Sequence, residues 1–363
     1  MNAPQTLHQL GQSLWLDNIT RPMLDGGILA GYIRDFAITG LTSNPTIFEH
    51  AIGNSDAYDE AIGRKTRQGK SGEALFFELA LEDLTRAADL FRPVFDATGG
   101  VDGWVSLEVS PLLAHDAAKT IAAAADLQAR AARRNLFIKI PGTSEGLAAI
   151  EASIFAGVPV NVTLLFSRAQ YQAAAEAYLR GIERRIAGGL DPKIGSVASL
   201  FVSRWDVAAS KTLAPSLNNQ LGIAVAHQAY RAYRELLASP RWLKVAAAGA
   251  QAQRLLWAST GSKDPTASDT LYIEQLAAPD TVNTMPEKTL LAFTDHGQLK
   301  QPLPIERNDG DAVIAACRQA GITVDALAAQ LQREGADAFS TSWRALLENI
   351  AAKTRKLAEA GAR

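Results

Sequence analysis

Residues 136–141 read LFIKIP, with Lys139 set among Leu136, Phe137, Ile138, Ile140 and Pro141. A charged ammonium is rarely taken inside a protein unless it is paired or has a task. If this run is a buried strand, side chains two apart share a face, so Lys139 goes with Phe137 and Ile138 with Ile140. The same rule sorts other polar residues. Thr42 goes with Asn44, Ser106 with Glu108, Asn161 with Thr163 and Ser199 with Phe201, while Asp17 closes LWLD after Trp15. Each polar set stands near the C-terminal end of its run. One lysine, two carboxylates and several neutral hydrogen-bonding groups are therefore expected at one place. Each has a plainer explanation when taken singly: Lys139 as an edge residue, Glu108 and Asp17 as its ion-pair partners, Asn44 before Pro45 as a turn. Their common register argues for an active site.

Such a set suits carbonyl chemistry. An amine among apolar walls has its charged form disfavoured, which frees it to attack a ketone. The resulting Schiff base draws electrons from the neighbouring carbon–carbon bond, and cleavage needs a base that Asp17 or Glu108 supplies. Thr42, Asn44, Asn161 and Ser199 suit the hydroxyls of a sugar. Arg204 in LFVSRWD (200–206) and Lys263 in STGSKDP (259–265) follow the sixth and seventh strand-like runs. Phosphate sites in barrels commonly form from loops in that late part of the fold. A phosphorylated keto-sugar is the expected substrate.

The elements that must position these groups are legible as alternation. Apolar or β-branched runs occur at 14–17, 37–42, 104–109, 136–140, 158–166, 196–202 and 254–260, with a weaker one around Thr281–Thr284. Between them lie Ala-, Leu- and Glu-rich segments of helical period, such as 114–134 and 167–189. The second of these has Ser167 before its periodic stretch and Gly188 and Gly189 at its end, as a capped helix should. Strand alternating with helix indicates a parallel sheet. Eight units predict an α/β fold, a single (β/α)8 TIM barrel with additional helices, which needs about 250 residues. The surplus is expected as a helical insert at about 46–100 and a helical C-terminal extension at about 305–363, all within one domain spanning 1–363. A doubly wound open sheet is the alternative architecture.

The bulk composition fits this reading and excludes others. The chain has 363 residues, 47% hydrophobic and 20% charged, with a net charge of −2. No basic field is present to hold nucleic acid or an anionic membrane. Cys317 is the only cysteine, which precludes an internal disulfide and suits a reducing cytoplasm. The start, MNAPQTLHQLGQ, lacks the pattern of a signal peptide, and no apolar stretch is long enough for a bilayer. A cytoplasmic location is expected. His8, His50, His115, His227 and His296 show no ligand spacing, so no metal is expected. GKS at 69–71 has Arg64 where a phosphate-binding loop needs glycine, and there is no GxGxxG or GxSxG. Neither a nucleotide nor a flavin cofactor is called for. Monomer and homodimer stay open as alternatives.

Six separated motifs resemble those of the transaldolases in their longer bacterial form, and the resemblance starts at LWLDNITR (14–21). The six are GLTSNPTIF (40–48), VSLEV (105–109), FIKIPGTSEGL (137–147), VNVTLLFS (160–167), SLFVSRWD (199–206) and APDTVNTMPEKT (278–289). The resemblance implies a barrel enzyme that moves a dihydroxyacetone unit between sugar phosphates in the pentose phosphate pathway, without cofactor or metal. It implies Lys139 as the Schiff-base lysine and Asp17 as the acid/base at the C4 hydroxyl. Glu108 and Thr163 are implied as holders of a catalytic water. Asn44, Asn161 and Ser199 correspond to sugar ligands, Thr42 to a support for Asn44, and Arg204 to a phosphate ligand. Where shorter transaldolases carry a second phosphate-binding arginine, this sequence has STGSK, which puts Ser259 and Lys263 in that role. Related aldolases that release free dihydroxyacetone carry tyrosine in place of Phe201 and lack Glu108. Both positions favour the transferase.

Overall fold

A computed structural model describes residues 2–299 and 309–361. Its eight strands are β1 Ser13–Asp17, β2 Ile38–Thr42, β3 Val105–Glu108, β4 Leu136–Pro141, β5 Val160–Leu165, β6 Ser196–Phe201, β7 Arg254–Ala258 and β8 Val282–Met285. All pair in parallel in chain order, and β8 closes on β1. The closed barrel, not the open sheet, is the architecture. Helices predicted over 114–134 and 167–189 form as Ala117–Ala131 and Arg168–Ala187. Ser167 caps the latter by accepting from the Gln170 amide.

Alternation divides the strands as expected except at the end of β5, where Leu164 takes a left-handed backbone (φ +59°) and the register shifts, so that Leu165, and not Leu164 as the alternation predicts, joins Val160 and Val162. Ile138, Ile140, Val160, Val162, Ala198 and Leu200 belong to the aliphatic layer under the helices, whereas Trp15, Phe137, Val197, Leu256 and Val282 fill the interior. Trp104 stacks on Phe137 with 3.9 Å between ring centroids, and Trp15 lies 6.1 Å from Phe137 on its other side. This aromatic floor closes the barrel beneath Lys139. It is held by polar groups the sequence did not flag. Asp102 accepts from Trp15 Nε1 at 2.8 Å and from Ser13, while Arg254 donates to Ser13 Oγ at 2.7 Å and lies 3.8 Å from Asp102. The buried charges face each other, which a low-dielectric interior demands.

Helices fill the expected insert, as Pro45–Gly53, Asp59–Arg67 and Gly72–Ala97. The C-terminal region holds Asp309–Gln319 and the 38-residue Val324–Gly361; positions 305–308 and 362–363 of the predicted extension lie outside the described residues. These two additions meet each other. Trp343 packs edge-on against Phe76 at 4.8 Å, Thr46 bonds Ser342 at 2.8 Å, and Lys353 pairs with Asp59 at 2.7 Å. No single helix among the described residues is long and apolar enough to cross a membrane.

Gly40 is required by the floor: a Cβ there would lie 2.6 Å from the Trp15 indole. Trp15 is fully buried and cannot retreat. Gly40→Ala is expected to destabilise the fold by about 1–3 kcal/mol through overpacking, read from the urea midpoint. An unchanged midpoint would show that the floor is loose.

Candidate active site

β3, β4 and β5 set the central register. Glu108 stands directly opposite Lys139, and Lys139 opposite Asn161. Lys139 is 5% exposed and points into the barrel, with its Nζ 3.5 Å from Glu108 Oε2 and donating to the Ser43 carbonyl at 3.2 Å. The first contact is an ion pair at the outer limit of a hydrogen bond. The amine therefore sits beside a carboxylate, as the shared register predicts. Its walls include a carboxylate and a backbone carbonyl from the β2 loop.

A cavity of about 250 Å³ opens above the amine at the C-terminal ends of the strands. Asp17, Thr42, Asn44, Lys139, Ser199, Phe201, Arg204, Ser259 and Lys263 all line it. Nine of the twelve residues singled out in the sequence thus share one wall. The remaining three, Glu108, Asn161 and Thr163, lie buried beneath it.

The pairing register also settles who supports whom. Asp17 faces Thr42 across β1 and β2, and Thr42 Oγ1 donates to Asp17 Oδ1 at 2.7 Å. Thr42 also bonds Thr284 of β8 at 2.6 Å. Its hydroxyl serves Asp17, not Asn44, which corrects the role implied by the resemblance. Asn44 caps the helix that follows it, its Oδ1 accepting from the Ile47 amide at 3.0 Å, so only its Nδ2 is free for a ligand. Asn161 is spanned at both ends. Its Nδ2 donates to Ser106 Oγ at 3.0 Å and its Oδ1 accepts from Ser199 at 2.7 Å. In this state it braces Ser199 from below and presents nothing to the cavity. Thr163 Oγ1 has no hydrogen-bond partner among the described residues although it is fully buried.

Burial dominates the electrostatics. Glu108 is pushed from an ordinary 4.5 up to about 7 by burial, with Lys139 opposing and Asp17 adding to the rise. Asp17 is likewise raised by burial, against the pull of Lys139, the Thr42 hydrogen bond and Lys263. Two carboxylates flanking one amine thus hold protons more tightly than free carboxylates do. Farther out, Arg204 lies over the Phe201 ring at 5.3 Å and the Phe339 ring at 5.9 Å. Burial draws its guanidinium below the ordinary arginine value, yet it stays charged. No carboxylate among the described residues pairs with Arg204; Glu334 acts only from farther away. A half-buried, unpaired guanidinium facing a cavity is an anion site. Lys263 stands exposed on the same rim. Ser259 holds a left-handed backbone, φ +56°, and its hydroxyl bonds Ser203 at 2.9 Å.

Three participants escaped the sequence reading. The Ser43 carbonyl is a backbone group that no side-chain pattern reveals. Thr284 obeys the alternation rule, but β8 was the weakest of the expected strands. Phe339 comes from the C-terminal helix, and its ring lies 5.8 Å from Lys139 Nζ. A signal for it exists: Gln332, Ala336, Phe339, Trp343, Leu346 and Ile350 repeat at steps of four and three, the pattern of one buried helix face. No group of three or more His, Cys, Asp or Glu among the described residues is placed to hold a metal ion.

Known proteins are similar to this chain over most of its length. The profile of the family Transaldolase/Fructose-6-phosphate aldolase matches residues 14–350. A protein of Saccharopolyspora erythraea called Transaldolase is 45% identical over 353 residues, covering 95% of this chain and 96% of its own. The Transaldolase of Thiobacillus denitrificans is 43% identical over 358 residues, covering 96% of this chain and 100% of its own. That of Acidothermus cellulolyticus is 45% identical over 362 residues, covering 98% and 96%. A match of this extent, across every strand that carries a site residue, means that the chain belongs to the transaldolase/fructose-6-phosphate aldolase family.

Proposed function

We propose that the protein is a transaldolase, transferring a dihydroxyacetone unit between sugar phosphates through a Schiff base on Lys139. The observation that carries this reading is the buried amine beside Glu108, sharing one cavity with Asp17 and ending at the unpaired Arg204. A ketose phosphate fits end to end, with its carbonyl at Lys139 and its phosphate at Arg204. Ser259 and Lys263 serve as further phosphate ligands. Asn44 through its Nδ2 and Ser199 hold the sugar hydroxyls, with Thr42 orienting Asp17 and Asn161 bracing Ser199. Phe201 forms an apolar wall. The substrates are fructose 6-phosphate or sedoheptulose 7-phosphate as donor, and glyceraldehyde 3-phosphate or erythrose 4-phosphate as acceptor. The reading calls for no cofactor, metal, nucleic acid or membrane, and for one domain acting in the cytoplasm within the non-oxidative pentose phosphate pathway.

Glu108 takes a proton from Lys139, and the free Nζ adds to C2 of the ketose. Glu108 and Thr163 hold a water that carries protons as the carbinolamine loses water to give the iminium. The unsatisfied Thr163 hydroxyl and Glu108 Oε2 supply the two groups such a water needs. Asp17 then removes the C4 hydroxyl proton; the C3–C4 bond breaks, its electron pair enters the iminium, and an aldose phosphate leaves. The enamine that remains adds through C3 to the aldehyde of the acceptor, and Asp17 returns its proton to the new alkoxide. Water finally releases the product ketose and frees Nζ.

Borohydride with fructose 6-phosphate should trap a covalent adduct that peptide mapping places on Lys139. Lys139→Ala should fold yet lose essentially all turnover. An adduct elsewhere, or turnover in that variant, would falsify the Schiff-base reading. Steady dihydroxyacetone release from fructose 6-phosphate alone, as fast as transfer to an acceptor, would instead favour an aldolase. Arg204→Ala should weaken phosphorylated substrates selectively, raising their KM about 10- to 100-fold through loss of a charge-assisted contact; an unchanged preference for phosphorylated over plain sugars refutes that assignment. Glu108 gives a pH signature. The rate limb governed by its ionisation should rise through about pH 7, and Glu108→Gln should flatten it. The folded state also retains a proton there that the unfolded chain releases. The corresponding stability is full below 4.5 and lost as pH rises through about 7, a slope that melting curves should show diminished in the Gln variant.

A further inference from the structure

The helix Val324–Gly361 roofs the cavity and is pinned on both sides of it. On one side Gln332 Nε2 donates to the carbonyls of Gly142 and Leu164, at 3.0 and 2.9 Å, where β4 and β5 end. Next to it Gly335 lets the helix approach: a Cβ there would lie 2.8 Å from Leu164 and 3.2 Å from the Arg204 guanidinium. On the other side Ser342 bonds Thr46, Asn349 bonds Glu49, and Trp343 packs against both Phe76 and Phe77. Phe339 falls between these anchors. It is 5% exposed, lines the cavity, and presents its ring to Lys139 Nζ at 5.8 Å and to Arg204 Cζ at 5.9 Å. One ring therefore overlies the groups at both ends of the substrate position.

Building on the transaldolase reading, we infer that Phe339 determines specificity for transfer over hydrolysis by shielding the covalent intermediate from water. After cleavage the three-carbon enamine waits on Lys139 for an acceptor aldehyde. Water competes by a defined route. A proton from water adds to C3, which regenerates the iminium; the remaining hydroxide adds to C2; the C2–N bond then breaks as a proton passes to Nζ. Free dihydroxyacetone leaves, and one water is consumed with no change of oxidation state. Each step needs water at the face of the intermediate above the aromatic floor. From below, Trp15 and Phe137 close the barrel. From above, the Phe339 ring covers part of the cavity over Nζ. A ring face also attracts cations, so it favours the iminium wherever that species forms. The two effects separate by substitution: leucine retains bulk without a π face, and alanine retains neither.

The experiment compares wild type, Phe339→Ala and Phe339→Leu. Dihydroxyacetone release from fructose 6-phosphate alone is measured against transfer from fructose 6-phosphate to erythrose 4-phosphate, with melting temperature as a folding control. The expected result is a release-to-transfer ratio about tenfold higher in Phe339→Ala, a loss of ~1.4 kcal/mol of discrimination, and a ratio near wild type in Phe339→Leu. A ratio in Phe339→Ala within twofold of wild type overturns the inference, as does an equal rise in Phe339→Leu. Should the alanine variant fail to fold, leucine against the still smaller valine gives the same comparison with the same criteria. Borohydride trapping on wild type distinguishes the two levels. No adduct on Lys139 sinks the Schiff-base reading itself, whereas an adduct with unchanged ratios sinks only the role of Phe339.

Discussion

The pairing of Lys139 with Glu108 inside the barrel is the constraint on which the rest of the site depends. Taking two charges out of water is costly, and their mutual attraction offsets that only if the geometry is held. The barrel holds it through backbone register. The two residues are direct partners across β3 and β4, so neither can shift without breaking the ladder. The pair is nonetheless incomplete. At 3.5 Å it is looser than a full hydrogen bond, and burial raises the affinity of Glu108 for a proton against the opposing pull of Lys139.

Layering converts this pair into a directional site. An aromatic floor of Trp15, Phe137 and Trp104 closes the barrel below, itself fixed by Asp102 and Arg254 at the N-terminal end. Stability and chemistry thereby occupy opposite ends of one interior, as the barrel architecture favours. Above the floor, neutral side chains brace the reactive ones. Thr42 and Thr284 orient Asp17, and the Ser106–Asn161–Ser199 chain ties three strands together across the interior. Such bridges confer rigidity because each member is satisfied by another member.

The helical additions have a clear physical use. The insert at 45–97 and the C-terminal helix pack against each other over the rim. Their union places a helix across the open end of the barrel, where an unadorned fold would expose the cavity to bulk water. Excluding water strengthens every electrostatic interaction beneath it.

By itself the sequence determined the strand order, the inward register and the identity of nearly every polar group at the rim. Period-two alternation is a local property, and Lys139 within LFIKIP or Asn161 and Thr163 within VNVTLL declare their faces without knowledge of the fold. What tertiary structure alone decided was partnership. That Thr42 serves Asp17 and not Asn44, that Asn161 braces Ser199, and that the Ser43 carbonyl receives the lysine depend on which strands become neighbours and at what stagger. Phe339 is the extreme case, two hundred residues in sequence from Lys139 and 5.8 Å from it in space. The helix pattern identifies its buried face but carries no information on what that face will cover, because hydrophobic burial is non-directional and only closure of the barrel creates the surface it seals.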